Sequence, residues 1–332
     1  MCVDYKLKNL SKELFKGLIN TKYDYDLVDK WYDSTIEKIA TKVIISKGEP
    51  HFKKPTLKHG RYSDVCYLIN KVCEFYQVPD CKFIVIVNDA YGCHFPAFSA
   101  IRPQSHNIFN IPMPMGNSRG MDADCATPIE GWDEYIKKTI KHNISWDQKI
   151  NKAVFRGKIS HQTWANGQYG KKKANHWTEL TRGKLYQNSR SRMFDVGFTK
   201  IEGINTKGDL KLVDSIKFPD QQKYKYIISV GTNADWAERL RTHLFTNSVL
   251  IKHESESFEW FYPLMKPWKH YIPCSIEFKD LEKNVAWAIN NQKSCQEMIK
   301  NANMFAENYL NEKVMIQFMY YLIQEYSKHQ LK

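Results

Sequence analysis

The chain has 332 residues, 42% of them apolar and 14% aromatic, and a formal net charge of +13. That apolar content supports a sizeable core and argues against disorder, while the length exceeds what a single core usually serves, so two domains are expected. A surface this positive attracts anions, a class that spans nucleic acids, acidic glycans, lipid headgroups and sugar nucleotides.

The opening Met1-Cys2-Val3-Asp4-Tyr5-Lys6 has an acid near its start and no apolar run of signal-peptide length. No stretch approaches the roughly 18 apolar residues of a spanning helix, so the expectation is a soluble, cytoplasmic protein. The eight cysteines form no C-x-x-C pair, which disfavours a zinc ribbon or redox motif and predicts reduced, mostly buried thiols. Residues 1–80 read as helices: Leu10, Leu14, Phe15 and Leu18 keep helical spacing, Val65, Tyr67, Leu68, Val72 and Phe75 crowd a second segment, and Lys47-Gly48-Glu49-Pro50 breaks the pattern. The unbroken run Lys82-Phe83-Ile84-Val85-Ile86-Val87 predicts a strand covered on both faces, stopping at Asn88-Asp89. Residues 92–131 are rich in Gly, Pro and Ser and predict loops, and 132–150 predicts a helix.

In the second half Ala153-Val154-Phe155 predicts a strand that ends at Arg156-Gly157, and 226–230 predicts another that ends at Gly231. A helix is expected over 236–244 with Asp235 as its N-cap, then a strand at 249–251. Beyond Leu281 the chain reads as helical, with Met298, Ala302, Phe305, Ala306 and Tyr309 on one face and Met315, Phe318, Met319, Leu322, Ile323 and Tyr326 on another. Strands alternating with helices predict two α/β domains, each on a parallel sheet.

Ligands in such sheets collect beyond the carboxyl ends of the strands, which singles out Asp89, Arg156, Gly231 and the turn Gly231-Thr232-Asn233-Ala234-Asp235. Backbone N–H groups in that turn would suit a phosphate, although one glycine at a strand-to-helix turn also serves geometry alone. Neither G-x-G-x-x-G nor G-x-x-x-x-G-K-[ST] occurs. Asp122-Ala123-Asp124 has the letters of a metal clamp but lies in the Gly/Pro-rich loop, so no metal site is expected. Lys171-Lys172-Lys173 and the many aromatics leave a nucleic-acid-binding protein as the main alternative, with no recognisable binding motif to carry it.

Tyr224-Lys225-Tyr226-Ile227-Ile228, Trp236-Ala237-Glu238-Arg239-Leu240, Thr246-Asn247-Ser248-Val249-Leu250-Ile251-Lys252 and Glu259-Trp260-Phe261-Tyr262-Pro263-Leu264-Met265-Lys266-Pro267-Trp268-Lys269-His270-Tyr271-Ile272-Pro273 together resemble glycosyltransferase family 90. That family holds protein O-glucosyltransferases and fungal capsule-associated xylosyltransferases. The likeness extends over roughly residues 80–330, through Phe155-Arg156-Gly157 and Asp195-Val196-Gly197-Phe198-Thr199. It implies an α/β fold of GT-B type: two Rossmann-like domains facing each other across a cleft, with C-terminal helices packing back toward the N-terminal domain. The implied division is 1–150 for acceptor and base, 151–305 for the UDP-sugar, and 306–332 as the returning helix.

The implied activity is inverting transfer of glucose or xylose from a UDP-sugar to a glycan or protein acceptor, with the UDP-sugar as co-substrate and no metal or other cofactor. Arg239 matches an arginine that holds the donor diphosphate, and Arg182 matches a second; a guanidinium fork suits that task. Asp89 aligns with the catalytic base, against the plain reading of an Asp that caps a turn after a strand. Ala90 stands where relatives often have Tyr directly after the Asp, and Glu238 where they often have Gly. Glu259 is a candidate for the donor ribose or an exposed helical acid, and Arg156, Gly157, Ser229, Gly231 and Thr232 are further donor contacts. Trp260, Phe261, Trp268 and Tyr271 could stack on uracil or sugar, though aromatics at this density are more often core. A fold that has lost catalysis and only binds glycans is the remaining alternative.

Overall fold

The computed structural model describes residues 2–16, 22–88, 92–103, 108–116, 127–160, 162–165, 168–171, 176–202, 210–231 and 239–331. Among the described residues of the first 80 are three α-helices: α1 (Val3–Phe15), α2 (Tyr25–Trp31) and α3 (Tyr62–Phe75). Between α2 and α3 the chain makes a hairpin that the helical reading of this region did not contain. Its strands are β1 (Ala40–Ser46) and β2 (Glu49–Lys53). Lys47 and Gly48 form the two-residue turn with φ of 52° and 82°, the left-handed pair whose twist matches that of the flanking strands. The residues expected to interrupt a helix are therefore a hairpin turn, and Pro50 is tolerated because β2 is the edge strand.

β3 (Cys81–Ile86) pairs antiparallel with β1, from Ala40 opposite Ile86 to Ile45 opposite Cys81. The segment expected to be loop holds three short strands, β4 (Ala97–Ser99), β5 (Arg102–Pro103) and β6 (Asn110–Pro112). The first sheet runs β2-β1-β3-β4-β6, antiparallel through the hairpin and parallel from β3 to β6. It is mixed, which corrects the expectation of a parallel sheet in this half.

Helix α4 (Trp132–Ile140) stops ten residues short of the predicted end, and β7 (Ile150–Ser160) begins where that helix was to finish. β7 also runs past Arg156-Gly157, so these two residues lie inside a strand and not at its exit. The hairpin β8 (Gln162–Ala165) and β9 (Gln168–Lys171) follows, then α5 (Thr181–Gln187), β10 (Phe194–Glu202), α6 (Phe218–Gln221) and β11 (Tyr224–Ser229). Next come the short α7 (Leu240–His243), β12 (Val249–His253), β13 (Ser257–Phe258) and β14 (Ile272–Cys274). Asp235, the expected cap, and most of the predicted helix before Arg239 lie outside the described residues. The second sheet, β10-β7-β11-β12-β14, is parallel at every pairing, as expected.

The chain closes with α8 (Leu281–Asn290), α9 (Gln292–Tyr309) and α10 (Glu312–Ser327). α10 is built into the core of the first sheet: Tyr326 is fully buried, its ring meets Phe15, Phe83 and Phe98, and its hydroxyl donates to the Pro96 carbonyl at 3.2 Å. A second core under the parallel sheet gathers Phe155, Ile228, Ile251, Phe278 and Val285. The two halves also share backbone pairing, since β13 lies antiparallel to β5 with Phe258 opposite Arg102. Trp260 and Phe261 are completely buried core residues, whereas Trp268 is 47% exposed.

Candidate active site

Chemistry-bearing side chains converge beside the last residues of β7 and the end of β11. α5 is placed by the turn before it, where His176 and Glu179 form a capping box around Trp177-Thr178. Gly183 lets the helix lie on that turn: a Cβ there would stand 1.9 Å from the Trp177 carbonyl oxygen. The adjacent Arg182 is thereby driven into the interior at 8% exposure. Its Nη1 donates to the Lys158 carbonyl at 2.8 Å and its Nη2 to the Val230 carbonyl at 2.9 Å, just past the end of β11. The guanidinium lies over the Phe155 ring at 5.0 Å, and Nε is buried with no hydrogen-bond partner. Gly157 makes the room, because a Cβ at that position would come within 3.0 Å of Arg182 Nη1.

Arg239 stands at the N-cap of α7, half-buried. Its charge reaches two buried neighbours. Burial pushes the Arg182 guanidinium down to about 9 and the positive Arg239 pushes in the same direction. His243, stacked on Phe218 at 4.9 Å, is pushed down to about 3 by burial and again by Arg239. Among the described residues neither Arg182 nor Arg239 forms an ion pair with a carboxylate. Two neighbouring cations that meet no carboxylate among the described residues, one of them anchored just past the end of β11, suit an anion with several oxygens.

Not every candidate joins this pair. Arg156 is taken up by Asp195, with Nη2 at 2.5 Å from Oδ1 and Nη1 donating to the Asp195 carbonyl at 2.7 Å. Asp195 also accepts from the Tyr224 hydroxyl. Burial alone would raise the Asp195 carboxyl, but the hydrogen bonds from Tyr224 and Arg156 hold it below the usual range. Ser229 ends β11 at 6% exposure, and Gly231 is buried two residues on. Thr232 lies outside the described residues. Glu259 is 3% exposed, 3.8 Å from Arg241, and accepts from the Tyr262 hydroxyl at 3.3 Å; the alternative of an exposed helical acid is thus corrected.

Asp89 lies outside the described residues, but the strand end that carries it is fixed. The Val87 amide donates to the Ile39 carbonyl at 2.9 Å, and Arg61 Nη1 reaches the Val87 carbonyl at 3.4 Å. Arg241 and Lys252 are among the buried cations that escaped the sequence reading. Arg241 is fully buried, donates through Nη2 to the Met115 carbonyl at 2.6 Å and lies over Trp132. Lys252 sits near the end of β12. The signal for it was a charge inside Val249-Leu250-Ile251-Lys252-His253, a strand whose burial is complete. Among the described residues no group of three His, Cys, Asp or Glu side chains is close enough to hold a metal ion, and no helix is long and apolar enough to cross a membrane.

Comparison with known proteins gives this geometry a context. The model of glycosyl transferase family 90 matches residues 36–332. The chain is 30% identical over 191 residues to mouse protein O-glucosyltransferase 3, covering 56% of this chain and 34% of that protein. It is 26% identical over 331 residues to human protein O-glucosyltransferase 1, covering 95% of this chain and 77% of the relative. An uncharacterized protein of invertebrate iridescent virus 3, 035R, is 26% identical over 342 residues, 89% of this chain and 30% of that one. The match thus spans about a third of the length of relatives such as the mouse protein.

Proposed function

The chain belongs to glycosyl transferase family 90, and from that premise we propose that it is an inverting transferase of GT-B type that moves glucose or xylose from a UDP-sugar to a hydroxyl of a glycan or protein acceptor. The observation that carries the reading is Arg182, held on the carbonyl just past the end of β11 and near enough to Arg239 to feel its charge, with neither arginine paired to a carboxylate among the described residues. A diphosphate supplies the missing counter-charge, and its oxygens match the guanidinium forks. Residues 151–305 hold the donor in this reading, 1–150 supply acceptor and base, and 306–332 return to the first half.

In the reaction Asp89 removes the proton from the acceptor hydroxyl while that oxygen attacks the anomeric carbon from the face opposite UDP. The bond from the anomeric carbon to the β-phosphate oxygen breaks, its electron pair leaves with UDP, and the product carries the inverted configuration. Arg182, Arg239 and the Gly231 N–H receive the developing charge, a role for which no metal is required. Gly157 shapes the Arg182 pocket, Ser229 and Thr232 are further donor contacts, and Glu259 accepts from the ribose hydroxyls. Arg156, paired with Asp195, acts on the donor only through the strand it braces. A cytoplasmic protein of this kind would meet its acceptor there.

A panel of UDP-sugars scored for UDP release tests the proposal. Turnover is expected with UDP-glucose or UDP-xylose and is lost in Asp89→Asn and Arg239→Ala. Full turnover in both variants would overturn it.

A further inference from the structure

Among the described residues two lysines are buried, Lys149 and Lys252, and they are satisfied very differently. Lys149, 5% exposed, donates through Nζ to the Gln222 carbonyl and to Ser248 Oγ at 3.0 Å, so its ammonium is spent on holding three segments together. Lys252, 8% exposed, has no such partners among the described residues. Its Nζ reaches one acceptor, the carbonyl of the adjacent His253, at a long 3.5 Å. Otherwise it faces rings, 4.3 Å from the centroid of Tyr262 and 5.7 Å from that of Tyr271. Among the described residues no carboxylate pairs with it within 4 Å, although Glu254 and Glu259 are near enough to favour its charge against a burial that pulls it down to about 8.

Burying an ammonium with donors to spare is costly, and in a strand as apolar as β12 an aliphatic residue would pack at lower cost. Position supplies the reason for keeping it. Lys252 stands opposite Ser229 in the β11–β12 ladder, and the Val230 carbonyl that follows Ser229 is the one that receives Arg182. Lys252 therefore lies at the same end of the β11–β12 pair as the carbonyl that holds Arg182, on the flank formed by Glu259 and Tyr262.

We propose that Lys252 is a third cationic donor of the nucleotide site, with Nζ hydrogen-bonding a diphosphate oxygen of the bound sugar nucleotide beside Arg182 and Arg239. This rests on the donor reading above and adds a residue to it. The test uses the full chain, as wild type, Lys252→Met and, should that variant not fold, Lys252→Gln, titrated with UDP by calorimetry and with uridine by NMR. UDP affinity is expected to fall about 10- to 100-fold while uridine affinity stays within about twofold. The melting temperature without ligand is expected to hold or rise, since the variant removes an unsatisfied buried charge. Equal loss for UDP and uridine, or unchanged UDP affinity, would overturn the assignment of Lys252 alone. Failure of the wild type to bind UDP would overturn the donor reading together with it.

Discussion

Replacing Arg182 with Met separates what the guanidinium does for the fold from what it does for a ligand. The substitution removes the donors to the Lys158 and Val230 carbonyls, and each buried acceptor left unpaired costs about 1–3 kcal/mol. Loss of the contact with the Phe155 ring adds about 1–2 kcal/mol. Against this stands the release of a buried cation that meets no carboxylate among the described residues and is repelled by Arg239, a return of several kcal/mol. The opposing terms are of one size, so stability without ligand should change by no more than about 2 kcal/mol in either direction. UDP binding has no such offset: losing a charge-assisted contact worth about 1.5–3 kcal/mol weakens it about 10- to 150-fold. Thermal melts with and without UDP, with calorimetric titration, read both quantities. UDP affinity within twofold of wild type, or destabilisation beyond about 4 kcal/mol, would show that Arg182 is a structural residue and refute the reasoning.

Gly157→Ala puts a methyl group 3.0 Å from Arg182 Nη1 and should weaken UDP binding several-fold while leaving stability within about 1 kcal/mol, because the strand gains what glycine had cost it; unaltered UDP affinity in a titration would count against the role given to Gly157. Gly183→Ala places a Cβ 1.9 Å from a backbone oxygen and should lower stability by more than about 2 kcal/mol in denaturant unfolding, as α5 lifts from its turn. His243 and His253 are held neutral, pushed down by burial to about 3 and about 4, so the unfolded chain takes up protons below its ordinary value near 6.5 while the native chain does not. Stability is thus fully present above about pH 6.5 and falls toward pH 4 by about 1.4 kcal/mol per pH unit for each histidine. Melting curves across that window should show the decline, with a shallower slope in His243→Phe; a flat profile would disprove it.

The strands of the sheets' interiors were legible because covered strands leave unbroken apolar runs: 82–87 is realised as Cys81–Ile86, 226–230 as Tyr224–Ser229, and 249–251 within Val249–His253. The first hairpin was not, because Lys47-Gly48 has the composition of a helix break and only backbone pairing distinguishes a turn. β4 and β6 are three residues long, too short for any period to emerge. The helix at 132–150 was drawn too long because Trp146 and Ile150 continue its apolar content, although one sits in a single 3₁₀ turn and the other opens a strand. At the site, a motif could nominate arginines but could not tell which is already engaged. Arg156 finds Asp195 39 residues away in sequence, across a strand pair, whereas Arg182 among the described residues finds carbonyls and a ring. Lys252 was hidden for a related reason, since a lone lysine carries no spacing of its own.

The seat of Tyr326 has a consequence for how this chain is made. The hydroxyl of that residue bonds a carbonyl 230 positions earlier, and its ring completes the packing over Phe83 and Phe98. At a synthesis rate of about 5–20 residues per second, the sheet that emerges first from the ribosome waits on the order of tens of seconds for the helix that covers it. During that interval its apolar face is open to chaperones and to neighbouring nascent chains, and a ribosome that stalls before α10 releases a polypeptide with an unfinished core.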